Sequence, residues 1–236
     1  MLELRELASP NHDARPEGRP VDILLLHYTG MRSATEALDR LADPAAKVSA
    51  HYLIEEDGAV WQLVPEDRRA WHAGVAAWGG ARDINARSIG IELVNPGHEF
   101  GYRPFPEPQM RALEALALGI LSRHPIPPRR VLGHSDVAPL RKEDPGELFD
   151  WARLARAGIG LWPAGAQLAT EELADVARLQ AGLARFGYAV PGSGVLDAET
   201  KAVVTAFQRH FRPLRVDGLP DAGTAARLAA LLALID

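Results

Sequence analysis

The chain has 236 residues, 47% of them hydrophobic and 24% charged, with a net charge of −5 and no cysteine. That length suits one large domain, or a medium one with a small one attached. Mild acidity without a block of like charge disfavours a nucleic-acid surface or a membrane-binding stripe. The lack of cysteine excludes disulfides, iron–sulfur clusters, thiolate ligands and a Cys nucleophile, so any metal is held by His, Asp or Glu. The opening stretch MLELRELASPNHDARPEGRP is charged from residue 3 and has no apolar core. No later run approaches the length of a membrane span, so the sequence as given leads us to expect a cytoplasmic protein.

Val21–Leu26, between Pro20 and Thr29-Gly30, is near-continuously apolar and predicts a strand covered on both faces. Ser33 to Leu41 has helical spacing. His51–Ile54 and Val60–Val64 flank Glu56-Asp57-Gly58, a hairpin signal. Ser88–Val94 alternates as a strand, and Pro108–His124 predicts an amphipathic helix opening on Pro and closing on basic residues. Val131–His134 predicts a brief strand leading into a long loop. The expected fold is therefore α/β, a central mixed sheet flanked by helices, over residues 1–163.

Trp162-Pro163-Ala164-Gly165 marks a linker. Beyond it, residues 164–236 predict a small three-helix bundle. Its stripes are Val176, Leu179, Leu183 and Phe186, then Val203, Val204, Phe207 and Phe211, then Leu228, Leu232 and Ile235. Two helices open on the same phrase, G-x-x-D-x-x-T, at Gly194/Asp197/Thr200 and at Gly218/Asp221/Thr224. Each Asp is an apt N-cap.

His27 ends the first strand, His134 ends the brief one, and Asp144 follows ten residues later with Lys142 just before it. A lone His at a strand mouth is as readily a hydrogen-bonded structural residue. Two His and one carboxylate so placed also fit a catalytic zinc site with three protein ligands and an open position. Glu92 interrupts an apolar strand and needs a partner, since burying a bare charge is costly. That partner is either a salt bridge or something bound at a site.

The segments LLLHYTG, SAHYLI, AWHAG, SIGIEL, GHSDVAP and RKEDPGELF occur in order. In this series residues 8–163 resemble the zinc-dependent N-acetylmuramoyl-L-alanine amidases of type 2, nearest their AmpD/AmiD-like branch. The tail is similar to the small helical peptidoglycan-binding domains often attached to such enzymes. The resemblance implies one Zn²⁺ on His27, His134 and Asp144. It implies Glu92 as general base and Lys142 as the group that stabilises the developing oxyanion. It also implies substrate contacts from His51, Trp71, His72, Asn85 and Arg87. Several phage relatives place a catalytic Tyr just before the residue matching His51, where this chain has Ala50; more weight then falls on Glu92. His12, His98, His124 and His210 match no motif and are expected to be surface or structural.

The implied reaction is hydrolysis of the amide between N-acetylmuramic (or 1,6-anhydro-N-acetylmuramic) acid and L-Ala of the stem peptide. The implied partners are peptidoglycan fragments, with muropeptide recycling as the role. Two other readings share the fold. A non-catalytic peptidoglycan-binding module typically loses a zinc ligand, whereas this chain has the full set. A hydrolase for a different amide of the stem peptide is distinguished by its products.

Overall fold

The apolar run after Pro20 becomes the middle of the sheet. The computed structural model describes residues 3–165 and 172–236. Its strands are β1 (Leu4–Glu6), β2 (His12–Ala14), β3 (Ile23–Tyr28), β4 (Tyr52–Ile54), β5 (Val60–Gln62), β6 (Arg68–Ala70), β7 (Ser88–Leu93) and β8 (Val131–Gly133). The helices are α1 (Ala34–Ala42), α2 (Gly97–Phe100), α3 (Glu107–Arg123), α4 (His134–Val137), α5 (Trp151–Arg156), α6 (Val176–Phe186), α7 (Ala198–Phe211) and α8 (Ala222–Leu232). The main sheet runs β1-β5-β4-β7-β3-β8, and β2 pairs separately with β6. Only β4–β5, the hairpin across Asp57-Gly58, is antiparallel within the main sheet. The expected mixed sheet is thus observed. Several local bounds shift: the strand expected from Val21 starts at Ile23, those expected over His51–Ile54 and Val60–Val64 run over Tyr52–Ile54 and Val60–Gln62, and β8 runs directly into the short α4 instead of a long loop.

Alternation along the strands sorts the core into two faces. Leu24, Leu26, Ile89, Ile91 and Leu93 pack on the apolar stripe of α3, with Met110, Leu113, Leu116 and Ile120. On the opposite face, Leu53 and Val94 pack under Ala37 and Leu41 of α1. Further along that face, Ile23, Leu25 and Leu132 share one buried cluster with Trp78, Ile84 and Val137. Leu183, Phe186, Tyr188, Phe207 and Phe211 of the last third of the chain belong to the same cluster. The helical tail is therefore a cover for the sheet beside β3 and β8.

The duplicated phrase has a physical basis. Gln180 donates to Thr200 Oγ1 at 2.8 Å and accepts from Gly194 N–H at 2.7 Å. Gln208 repeats this with Thr224 Oγ1 at 3.1 Å and Gly218 N–H at 2.7 Å. Asp197 and Asp221 cap α7 and α8 by accepting from Thr200 N–H and Thr224 N–H. The linker is strapped down by Arg227 of α8, which donates to Pro163 O and lies over the Trp162 ring.

Candidate active site

Parallel pairing places the chemistry at the carboxyl ends of three neighbouring strands, the end where open α/β sheets bind ligands. His27 is in register with Glu92 of β7, and Leu26 with Gly133 of β8, so His134 emerges beside His27. The loop after α4 returns Asp144 to the same point. His27 Nδ1 and His134 Nδ1 lie 2.9 Å apart, and Asp144 Oδ2 is 3.1 Å from each. All three residues are buried.

The surrounding hydrogen bonds fix the tautomers. Ser88 Oγ donates to Ile84 O at 2.7 Å, so it accepts from His72 Nε2–H at 3.1 Å. His72 Nδ1 is then bare and accepts from His27 Nε2–H at 3.0 Å. His134 donates through Nε2–H to Ala73 O at 3.0 Å. In its neutral form each ligand imidazole then carries an unprotonated Nδ1. Burial lowers the pKa of His27 to about 4, helped by the neighbouring His134, so it is neutral near pH 7. With both rings neutral, two nitrogen lone pairs and a carboxylate oxygen face one another. A metal cation satisfies such a set, and oriented imidazoles backed by second hydrogen bonds are how proteins hold divalent ions.

Gly90 makes this packing possible, because a Cβ there would come within 2.5 Å of the His72 ring. Asn85 Oδ1 accepts from the backbone N–H groups of His72 and Ala73 at 3.1 and 2.8 Å. His51 is fully buried; it accepts from Gly90 N–H through Nδ1 and donates to Arg68 O. Burial and the adjacent Arg15 lower its pKa to about 3. Asn85 and His51 therefore brace the site from behind.

A cleft of about 440 Å³ opens above the cluster, lined by Glu92, Lys142, Asp144, His134, Trp71 and His72, with Tyr28, Arg40 and His98 at its sides. Glu92 Oε2 is shielded from solvent and has no hydrogen-bond partner. Burial raises the Glu92 pKa well above the usual carboxylate value; the charge of Asp144 adds to this, and Lys142 opposes it. Trp71 Nε1–H is likewise buried without a partner.

Arg87 requires correction. It precedes β7, at the opposite end of that strand from Glu92, and its guanidinium is held by Asp22, which also binds Arg130. His98 lines the cleft and bonds Tyr28 Oη and Glu147. His124 is surface-paired with Glu66, and His210 is buried against Asp136. Sequence reasoning missed Ser88, which sets the His72 tautomer, and Arg141, which donates to Ala73 O and Val75 O. Ser88 left a local trace in the sequence, a polar residue in phase with Gly90 and Glu92 on the inner face of β7, whereas Arg141 opens the RKEDPGELF segment with no local sign of its role.

Residues 17–147 match the family described as N-acetylmuramoyl-L-alanine amidase. The chain belongs to that family. Residues 172–228 match the putative peptidoglycan binding domain. The amidase is 41% identical over 231 residues to N-acetylmuramoyl-L-alanine amidase AmiD of Escherichia coli K12, covering 90% of this chain and 82% of the relative. It is 36% identical over 170 residues to 1,6-anhydro-N-acetylmuramyl-L-alanine amidase AmpD of Enterobacter cloacae, covering 65% of this chain and 89% of the relative. Among solved structures it is similar to E. coli AmiD in complex with the substrate anhydro-N-acetylmuramic acid-L-Ala-D-gamma-Glu-L-Lys. That match has a TM-score of 0.82 and 40% identity, over 94% of this chain and 91% of the other. AmpDh3 of Pseudomonas aeruginosa in complex with anhydromuramic pentapeptide matches with a TM-score of 0.82 and 36% identity, over 93% and 94% of the two chains. Among the described residues, no helix of the amidase is long and apolar enough to cross a membrane.

Proposed function

We propose that this amidase hydrolyses the amide between 1,6-anhydro-N-acetylmuramic (or N-acetylmuramic) acid and L-Ala of soluble muropeptides, with Glu92 and Lys142 as its catalytic side chains. The observation that carries the reading is one cleft holding three unprotonated acceptors and an unpartnered carboxylate oxygen, in a chain of this family. His27, His134 and Asp144 would hold a Zn²⁺ ion, which supplies Lewis acidity at the scissile carbonyl. Glu92 takes a proton from the attacking water and delivers one to the L-Ala nitrogen as the C–N bond breaks. The Lys142 ammonium faces the negative charge that grows on the carbonyl oxygen. Trp71 offers its free indole N–H to the substrate, and His72 keeps the His27 tautomer. The products are a muramyl carboxylate and a peptide with a free amino terminus.

The complete ligand set and the free Glu92 carboxylate favour a catalyst over a non-catalytic binding module. We place the division between the amidase region and the peptidoglycan-binding-like region at residues 163/164; residues 166–171 of the latter lie outside the described residues. Soluble fragments as substrate favour the cytoplasm, whereas intact wall would favour the envelope. Mass spectrometry of reactions with an anhydro-muramyl tripeptide and with intact sacculi, each with and without a chelator, tests the reading. Chelator-sensitive release of free tripeptide supports it, and zinc-loaded protein that cleaves neither substrate overturns it.

A further inference from the structure

One buried polar contact between the two regions lies directly behind a proposed metal ligand. Asp136, two residues after His134, is almost wholly buried. Its Oδ2 accepts from Gly133 N–H at 2.7 Å, the backbone group immediately before His134. The same oxygen accepts from His210 Nδ1–H at 2.7 Å, and Oδ1 accepts from Tyr188 Oη–H at 2.5 Å. Both outer donors come from the last third of the chain, 52 and 74 residues away. Neither is loosely held. The His210 ring is stacked 3.7 Å from Trp151 and 3.7 Å from Phe211, and Tyr188 packs edge-on against Trp78 at 4.8 Å. At the same junction Gly187 O accepts from Gly79 N–H at 2.7 Å, while Gly187 N–H closes α6 by donating to Leu183 O at 3.1 Å. A Cβ at Gly187, whose φ is +143°, would strike the Trp78 ring.

We propose that Tyr188 and His210 are positioning residues for metal binding: they hold the Asp136 carboxylate, and through it the Gly133–His134 turn that aims the His134 Nδ1 lone pair. A carboxylate that accepts three donors is fixed in rotamer and cannot swing to solvent. The amide it grips, that of Gly133, lies one residue before the ligand residue. Outer groups that orient a ligand commonly change metal affinity by about 10- to 100-fold when removed. Because Tyr188 and His210 act through one further residue, the lower end of that range is expected. In this view the helical tail completes the amidase site, whatever else its surface binds. The inference rests on the reading of His134 as a metal ligand.

The test uses the full-length chain and Zn²⁺ alone, with a competing chromophoric chelator to read Kd, and the visible absorption of the Co²⁺-loaded protein as a signature of ligand geometry. Tyr188→Phe removes one oxygen and should weaken zinc about tenfold and shift the cobalt bands. His210→Ala should do the same, while His210→Asn, which keeps a side-chain N–H, should recover most of the affinity. Leu228→Ala, which destabilises the tail without touching Asp136, should lower the melting temperature yet leave Kd within about twofold; the melting temperature of every variant is recorded beside its Kd. Zinc affinities for Tyr188→Phe and His210→Ala within twofold of wild type, or an equal loss in Leu228→Ala, overturn the proposal. Failure of the wild-type chain to bind zinc would instead overturn the ligand assignment on which it rests.

Discussion

Two of the buried polar clusters among the described residues are built on opposite plans. In the helical tail, Gln208 matches donor to acceptor at every turn, giving hydrogen bonds to Asp217, Leu219 and Thr224 and taking them from the N–H groups of Asp217 and Gly218. At the carboxyl end of the sheet, His27, His134 and Asp144 turn three acceptors toward one point, and Glu92 leaves an oxygen without a partner beside them. Satisfied networks stabilise a fold; acceptors left facing one another are tolerated where a ligand completes them. The contrast separates the part of the chain that is held together by its own groups from the part that waits for others.

Changes to the two clusters should therefore separate activity from stability. The largest effect is expected from a chelator: turnover of an anhydro-muramyl tripeptide falls by on the order of 10³-fold or more and returns with added Zn²⁺. The melting temperature drops at the same time, because the ion binds only the folded state. Next, Glu92→Gln should lower kcat by on the order of 10³-fold while zinc affinity and melting temperature hold, read by steady-state kinetics beside calorimetry. In the tail the pattern reverses. Asp221→Ala removes the carboxylate from the buried Arg212 guanidinium, which donates to both Asp221 oxygens at 2.9 and 3.0 Å. Losing one partner of such a pair costs about 3–5 kcal/mol, or roughly 10 °C for a chain of this size. Asp197→Ala removes only a cap and should give a much smaller drop. A large loss of kcat per folded molecule in either tail variant would break the comparison.

The smallest effect is in pH dependence. Burial alone would raise the pKa of Glu66, but hydrogen bonds from Arg123, His124 and Tyr52 outweigh it and hold the carboxyl at about 2. Its folded value lies below its unfolded value, so its stabilisation is present above about pH 4.5 and fades as the pH falls toward 2. Urea midpoints between pH 6 and pH 3 should decline, and Glu66→Gln should flatten that decline slightly.

What could be read in the sequence follows from the range of the interactions. His27, His134, Glu92 and Asp144 sit at strand ends and in short motifs, so local pattern located them. The helices α1, α3, α6, α7 and α8 carried apolar stripes or caps that run within a few residues. Strands β1, β2 and β6 have three residues each and present largely exposed faces, which leaves no alternation to detect. The loop with Asn85 and Arg87 misled because two polar neighbours point to different places, one toward the His72 backbone and one to Asp22. Asp136 was visible inside GHSDVAP, but its partners Tyr188 and His210 are distant in sequence and follow no local period. The role of the tail was hidden for the same reason. An amphipathic stripe says that a helix is covered without saying by what.

That shared apolar core has a consequence for how the molecule comes apart. Phe186, Phe207 and Phe211 are buried in the same cluster as Ile23 and Leu25, so the tail cannot open without wetting the central strands. Two regions that are separable along the chain then behave as one cooperative unit. Heat or denaturant should carry both through a single transition, with the slowest-exchanging amides of β3 and α7 protected by the same free energy.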